Sequence, residues 1–165
     1  MDRNLLRYFL VPEINRRYLL RVLIVAVGAF IIFKYICIPF QVRGDSMWPT
    51  YTSGSMNFCF TPRYLLDVPE RGDVVTIRMA GNRVMLLKRI VALEDDRVGF
   101  ENGRLIVNGE KISEPYAAGP CDWELPPRRV RSDHVYVVGD NRRVPMERHH
   151  FGQTPASRIV GAPLW

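Results

Sequence analysis

The sequence predicts a mainly β protein, in which a single N-terminal transmembrane helix is followed by an antiparallel β domain. Two observations lead to this expectation. Residues 18–38 form one apolar segment long enough to cross a bilayer, and the apolar residues that follow it alternate with the period of strands. With 165 residues, the chain has room for one anchor and one modest domain.

The apolar segment from Tyr18 to Ile38 is predicted to be the membrane anchor. As a helix it would extend about 31 Å at about 1.5 Å per residue, which matches one bilayer core. Arg21 and Lys34 lie near its ends, where long cationic side chains can reach the headgroups. A tilted or interfacial helix is the alternative. Because residues 34–39 offer no small-residue cleavage site, the segment is expected to remain attached.

The charge distribution predicts the orientation of this anchor. The formal net charge is +6. Only Asp2 and Glu13 balance the basic residues at the start of the chain, which are Arg3, Arg7, Arg16, Arg17 and Arg21. By the positive-inside rule, residues 1–17 form a basic cytoplasmic segment and residues 39–165 an extracytoplasmic domain.

Beyond the anchor, turn residues separate short β-branched segments. Residues 72–78 and 84–91 are predicted to pair as a hairpin. The dipeptides Asn102-Gly103 and Asn108-Gly109 predict two further tight turns between short strands, and residues 134–138 a later strand. A partly closed barrel and paired antiparallel sheets are both consistent with this meander.

A proline-rich stretch interrupts the strand pattern. Residues 115–131 contain four prolines, and proline cannot donate to a sheet ladder. We therefore expect no sheet strand here, and a cap or loop excursion over about residues 113–132.

Ser46 is the candidate nucleophile. It lies in residues 41–50, just beyond the apolar segment, where Gly44 and Pro49 favour a bent, exposed connection. A serine hydroxyl needs a base within hydrogen-bond reach and donors for the oxyanion that it creates. The alternative is an ordinary turn with a capping serine.

Lys88 is the candidate base. It lies within an apolar strand, and burial favours the neutral amine, which can accept a proton from serine. Strand alternation places Lys88 on the face of Leu86 and Val84, with Leu87 and Arg89 on the other face. The alternative is a surface lysine on an edge strand beside Arg89.

Several segments resemble, in order and spacing, the conserved boxes of type I signal peptidases. The hairpin at residues 107–116 is also similar to that family, and the resemblance covers about residues 16–161. The boxes are Gly44–Thr50, Arg71–Val75, Lys88–Val91, Val138–Arg142 and Phe151-Gly152.

This resemblance implies a membrane-bound serine endopeptidase with a Ser/Lys dyad and neither a metal nor another cofactor. Its partners would be the lipid bilayer and signal-peptide-bearing preproteins, which family members cut after small residues. The resemblance also implies a location in the inner (cytoplasmic) membrane of a bacterial cell. Ser46 matches the family nucleophile and Lys88 the general base. The backbone amide of Ser46 would bind the oxyanion, because Gly44 stands where many relatives have a second hydroxyl donor.

The resemblance also implies supporting and substrate-binding residues. Asp140, Arg89 and Glu147 would support the dyad. The substrate would add as a strand between residues 40–45 and 84–87. The residues expected to contact it are Phe40, Gln41, Val42, Met47, Tyr51, Val84, Leu86 and Leu87, of which Val42, Met47, Tyr51 and Leu87 suit a core equally well.

The last box departs from the family pattern. Pro145, Glu147 and His149 stand where the family has serine, aspartate and arginine. Glu147 can keep the acidic role, but Pro145 cannot supply the hydroxyl that helps to hold the lysine. Besides a general signal peptidase, a specialised processing peptidase with few substrates, such as those of conjugative transfer, and an inactive membrane-anchored β module therefore remain open.

Three other patterns predict no further site. The spacing of His134, His149, His150 and Cys121 fits no metal-ligand pattern. The basic residues 126–131 suit a solvated or lipid-facing loop better than nucleic acid. Cys59 and Cys121 would both face an oxidising compartment, but the sequence does not decide whether they pair.

Overall fold

The computed structural model describes residues 14–79, 85–119, 121–148 and 152–165. Helix α1 spans Arg16–Ile31. Its N-cap is Asn15, whose side chain accepts a 2.8 Å hydrogen bond from the Tyr18 N–H. A π-helical turn, Ile32–Ile36, continues it. The two together are long and apolar enough to cross a membrane. The predicted span was wrong at its end, because Cys37 and Ile38 already pair in the first strand.

The remainder of the described chain is mainly β, as predicted. A short helix, α2 (Arg63–Leu66), is the exception besides two single 3₁₀ turns. The strands are β1 (Cys37–Gln41), β2 (Met56–Phe60), β3 (Val74–Arg78), β4 (Met85–Ala92), β5 (Arg97–Glu101), β6 (Arg104–Val107), β7 (Glu110–Lys111), β8 (Leu125–Arg129), β9 (His134–Val138), β10 (Gly152–Pro155) and β11 (Ile159–Pro163).

These strands form two antiparallel sheets, with no closed barrel among the described strands. The larger sheet has the order β1-β2-β11-β3-β4-β9-β10, and the smaller has the order β7-β6-β5-β8. The predicted hairpin β3–β4 is confirmed, although its turn lies outside the described residues. The tight turns predicted at Asn102-Gly103 and Asn108-Gly109 join β5 to β6 and β6 to β7.

The expectation that residues 115–131 would contribute no strand is wrong. Residues 125–129 form β8, an edge strand that pairs with β5 through a register shift. An edge position tolerates one of Pro126 and Pro127, because one side of the strand needs no ladder donors, and both prolines lie within the register shift, where the ladder is interrupted. The close approach requires a glycine on β5, since a Cβ on Gly99 would lie 2.7 Å from the Leu125 carbonyl oxygen.

Two apolar clusters hold the sheets together. One lies where the smaller sheet packs on β4 and β9, and its largest buried side chain, Trp123, meets Phe100 edge-on at 5.2 Å between ring centres. The other lies on one face of the larger sheet and contains Val75, Ile77 and Ile90. Lys88, the candidate base, projects from the same face of the larger sheet as this cluster.

The cysteines and histidines form no further site among the described residues. All three cysteines are free, and Cys59 is buried with its Sγ 2.7 Å from the Thr76 hydroxyl. No group of three potential metal ligands was found in the described part of the chain. His149 and His150 lie outside that part.

Candidate active site

The loop between β1 and β2, residues 42–55, carries Ser46. Backbone hydrogen bonds of 2.9 Å, from Val42 N–H to Ser55 and from Gly54 N–H to Val42, close its base. Gly44 adopts a left-handed φ of 81°, which favours glycine. Its N–H donates to the Ser53 hydroxyl at 3.1 Å. The loop is therefore a defined structure whose outer part bends towards β9.

Residues just after β9 fix this loop. The Asn141 N–H donates to the Ser46 carbonyl at 3.0 Å, and the Asn141 side chain donates to the Asp45 carbonyl at 3.0 Å. Further along the loop, the Thr50 hydroxyl donates to the Asp140 carboxylate at 2.5 Å. Three hydrogen bonds thus hold the backbone around Ser46 against the end of a central strand.

Gly139 places Ser46 over one face of the larger sheet. The β4–β9 ladder pairs Arg89 with Val138, so one more step of this antiparallel register places Gly139 opposite Lys88. Opposite residues of an antiparallel pair project from the same face. A Cβ built on Gly139 would overlap the Ser46 carbonyl and lie 3.3 Å from the Ser46 Cβ. Ser46 therefore lies over Gly139 on the face towards which Lys88 points.

The Lys88 side chain is buried among mainly apolar residues, and it borders a hollow of about 220 Å³ that Gln153, Thr154 and Arg158 also line. The residue is only 3% exposed, and on its face of the sheet it is flanked by Leu86 and Ile90 and paired with Val75. Burial lowers the pKa of the amine from 10.5 to about 8, although the Asp140 carboxylate acts in the opposite direction. Among the described residues, its amine has no hydrogen-bond acceptor.

The ion pair between Arg89 and Asp140 braces the other face of the same strands. Asp140 is fully buried and accepts two hydrogen bonds from the guanidinium, at 2.9 and 2.6 Å. Arg89 also donates to the Gly72 carbonyl at 2.6 Å and stacks 3.9 Å from the centre of the Tyr116 ring. Because Asp140 also accepts from Thr50, this bidentate pair links β4, β9 and the Ser46 loop.

A groove of about 440 Å³ leads to Ser46. One wall is residues 39–44, and the other is residues 85–87 at the start of β4. The ladder to β9 includes β4 only from Arg89 onwards, so this part of β4 has a free edge facing the groove. Such an edge can accept an extended peptide as an added strand.

Six of the eight predicted substrate-binding residues line the groove. Val42, Met47 and Leu87 form a buried cluster beneath the groove, and Tyr51 packs against that cluster outside the groove lining. Val84 lies outside the described residues. Those that line the groove are Phe40, Gln41, Val42, Met47, Leu86 and Leu87.

The predicted acidic support residue lies elsewhere. Glu147 is exposed in the 3₁₀ turn Met146–Arg148, where it borders a hollow beside Trp123 together with Pro145. Within the described chain, its carboxylate makes neither a hydrogen bond nor an ion pair. The structure thus brings Asp140 and Arg89 to the site but not Glu147.

Sequence reasoning missed three residues that position Ser46: Thr50, Gly139 and Asn141. Gly139 lies against the Ser46 backbone, Asn141 donates to the Asp45 carbonyl, and Thr50 ties the loop to Asp140. A Gly-Asp-Asn turn straight after an apolar strand is a detectable signal, because glycine there permits a close backbone approach. The sequence does not show that this turn contacts the Ser46 loop.

Fold and site together define the class of the protein. An apolar helix leads directly into an antiparallel β domain, and a serine loop lies on the sheet face that carries a buried lysine. This is the arrangement of a serine hydrolase whose substrate can bind as a strand.

Comparison with known proteins identifies the family. The family model described as signal peptidase, peptidase S26, matches residues 15–164. Signal peptidase I S of Bacillus subtilis is 33% identical over 153 residues, which cover 85% of this chain and 82% of that protein. Signal peptidase I of Bacillus amyloliquefaciens is 31% identical, with coverage of 86% and 79%. The chain belongs to the signal peptidase family, peptidase S26, and is a serine endopeptidase.

A solved structure was also matched. A signal peptidase I from Enterococcus faecalis aligns with a TM-score of 0.46 and 20% identity, over 58% of this chain and 97% of that one.

Proposed function

We propose that this protein is a membrane-anchored endopeptidase that removes signal peptides from exported preproteins, with Ser46 as nucleophile and Lys88 as general base. The observation that carries the proposal is the burial of Lys88, 3% exposed, on the sheet face over which Ser46 lies. Desolvation lowers the pKa of the amine to about 8, so near neutral pH an appreciable fraction of it can accept a proton.

The proposed reaction is acyl transfer in two steps. The neutral Lys88 amine takes the Ser46 hydroxyl proton while Oγ attacks the scissile carbonyl, and the lysine then gives that proton to the leaving amine. In the second step the amine takes a proton from water, which attacks the ester and releases Ser46. The Ser46 N–H has no acceptor among the described residues, so it is available to the oxyanion.

The groove supports an extended substrate. A signal peptide would pair with the free edge of residues 85–87 and place alternate side chains over the apolar floor of Val42, Met47 and Leu87. Because this floor is already packed and buried, we expect it to accept small side chains before the cut and to exclude large ones.

The anchor sets where the reaction occurs. The end of the apolar helix continues within one residue into β1, whose last residues form a groove wall. With the orientation expected from the basic residues before the helix, the groove lies at the outer face of the cytoplasmic membrane, where a signal peptide leaves the lipid.

Cleavage of a preprotein by the purified protein in detergent tests this proposal. We expect Ser46→Ala and Lys88→Met each to lower kcat/KM at least about 1,000-fold, since each removes one half of the proposed dyad. Leucine in place of alanine immediately before the cut should also slow cleavage strongly.

The matched controls are Ser132→Ala and Lys111→Met, which change an exposed serine and an exposed lysine away from the groove. Both controls should retain full activity. Undiminished cleavage by either Ser46→Ala or Lys88→Met would refute the dyad, and an unaltered protein without any activity would favour the inactive β module.

A further inference from the structure

Arg143 is an exposed arginine whose side chain is nevertheless held in place. Its guanidinium carbon lies 5.0 Å from the centre of the Trp48 ring. On its other side it lies against Gly119, where an added Cβ would come within 3.0 Å of the Arg143 Cδ. The cation is thus held between an aromatic ring and a glycine while its charged end remains open to solvent.

This cation contacts the loop that carries Ser46, at a position that does not line the groove. Trp48 follows Ser46 by two residues, and the Arg143 N–H donates to the Asn141 side chain at 3.3 Å. Asn141 in turn donates to the Ser46 carbonyl. A substrate strand that fills the groove and leaves it on the Trp48 side of Ser46 would meet Arg143 within about three residues, at about 3.3 Å per residue.

The charge of Arg143 is not neutralised within the described part of the chain. The nearby buried carboxylates are already paired, Asp140 with Arg89 and Glu114 with Arg142. Arg143 itself forms no ion pair among the described residues. Asp45, beside Ser46, is an exposed carboxylate that forms no ion pair among the described residues.

We propose that Arg143, supported by Trp48, forms a subsite for the residues that follow the cleaved bond and favours an acidic side chain at the second or third of them. This inference rests on the proposed function, because it takes Ser46 as the nucleophile and the groove as the site of the residues before the cut. The subsite therefore binds the first residues of the mature protein rather than residues of the signal peptide.

The test uses preproteins that differ only at the second and third residues after the cut, which are glutamate in one and lysine in the other. For the unaltered protein we expect kcat/KM to be about two- to fivefold higher with glutamate, as for an exposed charge pair. Arg143→Glu should invert the ratio, and Arg143→Gln should bring it close to one. Salt at about 1 M should reduce the preference, since the Debye length falls to about 3 Å.

Arg104→Glu is the matched control, because it makes the same charge change at an exposed position on β6, in the other sheet. It should keep the ratio of the unaltered protein. A ratio that Arg143→Glu leaves unchanged while cleavage continues would overturn the subsite and leave the proposed function standing. If Ser46→Ala still cleaved both preproteins, the proposed function itself would fall, and this inference with it.

Discussion

Lys88 illustrates how a single residue acquires an unusual property from its surroundings. A lysine ammonium group in water stays protonated near neutral pH. In an apolar site the charged form loses its hydration, so the pKa of the amine falls. The structure provides that site on the face shared with Val75, Leu86 and Ile90. The same burial should be measurable as a dependence of stability on pH.

Lys88→Met tests this dependence. At about pH 7 the folded protein must bury a largely protonated amine, so the variant should melt at a higher temperature. Since folding lowers the pKa of this amine from 10.5 to about 8, the unfolded chain binds more protons between these values. The unaltered protein therefore gains stability as pH rises through this window, by on the order of 3 kcal/mol.

Thermal unfolding in detergent, followed from about pH 7 to about pH 10, measures the effect. The difference in melting temperature between variant and unaltered protein should shrink as pH rises, whereas Lys111→Met, at an exposed position, should show no such trend. A constant difference would indicate that the amine is not desolvated.

The placement of Lys88 was the part of the site most accessible to sequence reasoning. Alternation within one strand is local, so the strand alone indicates which neighbours share its face. Its alternative, a solvated edge lysine, is excluded by the 3% exposure. The replacement of the family's serine by Pro145 was equally visible, but the position of Pro145 beside Trp123 was not.

At the level of elements, the site depends on contact between the Ser46 loop and the end of β9. Gly139 permits this contact because its missing side chain leaves room for the Ser46 backbone. Thr50 and Asp140, which help to clamp the loop, are 90 residues apart in sequence. No local pattern could have paired these segments, although each was recognisable separately.

Gly139→Ala should therefore displace the nucleophile without disrupting the sheet. The added Cβ would overlap the Ser46 carbonyl, so the loop must shift, and a shift of about 1 Å can lower kcat/KM about 100-fold. Gly28→Ala in α1 is the control, because its Cβ would meet nothing within 4 Å. Both variants should melt close to the unaltered protein, and full activity in Gly139→Ala would contradict the close contact described here.

The other elements show where sequence patterns are reliable. The hairpins between β5, β6 and β7 were predictable because Asn-Gly turns act locally. Strand β8 was not, because its prolines argue against a strand unless the strand is known to lie at an edge. Which strands form edges is a property of the assembled sheets.

At the scale of the whole molecule, the N-terminal apolar helix is packed directly against the β domain. The Thr61 N–H and hydroxyl donate to the Ile36 and Tyr35 carbonyls at 3.0 and 2.5 Å. Phe33 on the helical segment lies 6.0 Å from Phe58 on β2, measured between ring centres. The groove is therefore fixed close to the end of the apolar helix, as the proposed function requires for a substrate that emerges from the bilayer.

The central claim, that a neutral Lys88 amine activates Ser46, is tested most directly by the pH dependence of cleavage in the complete protein reconstituted into lipid vesicles. Because kcat/KM reports the ionisation of the free enzyme, it should rise with a slope of one on a logarithmic scale and level off above about pH 8. A profile that is flat, or that has its midpoint near the ordinary histidine pKa of about 6.5, would contradict the claim.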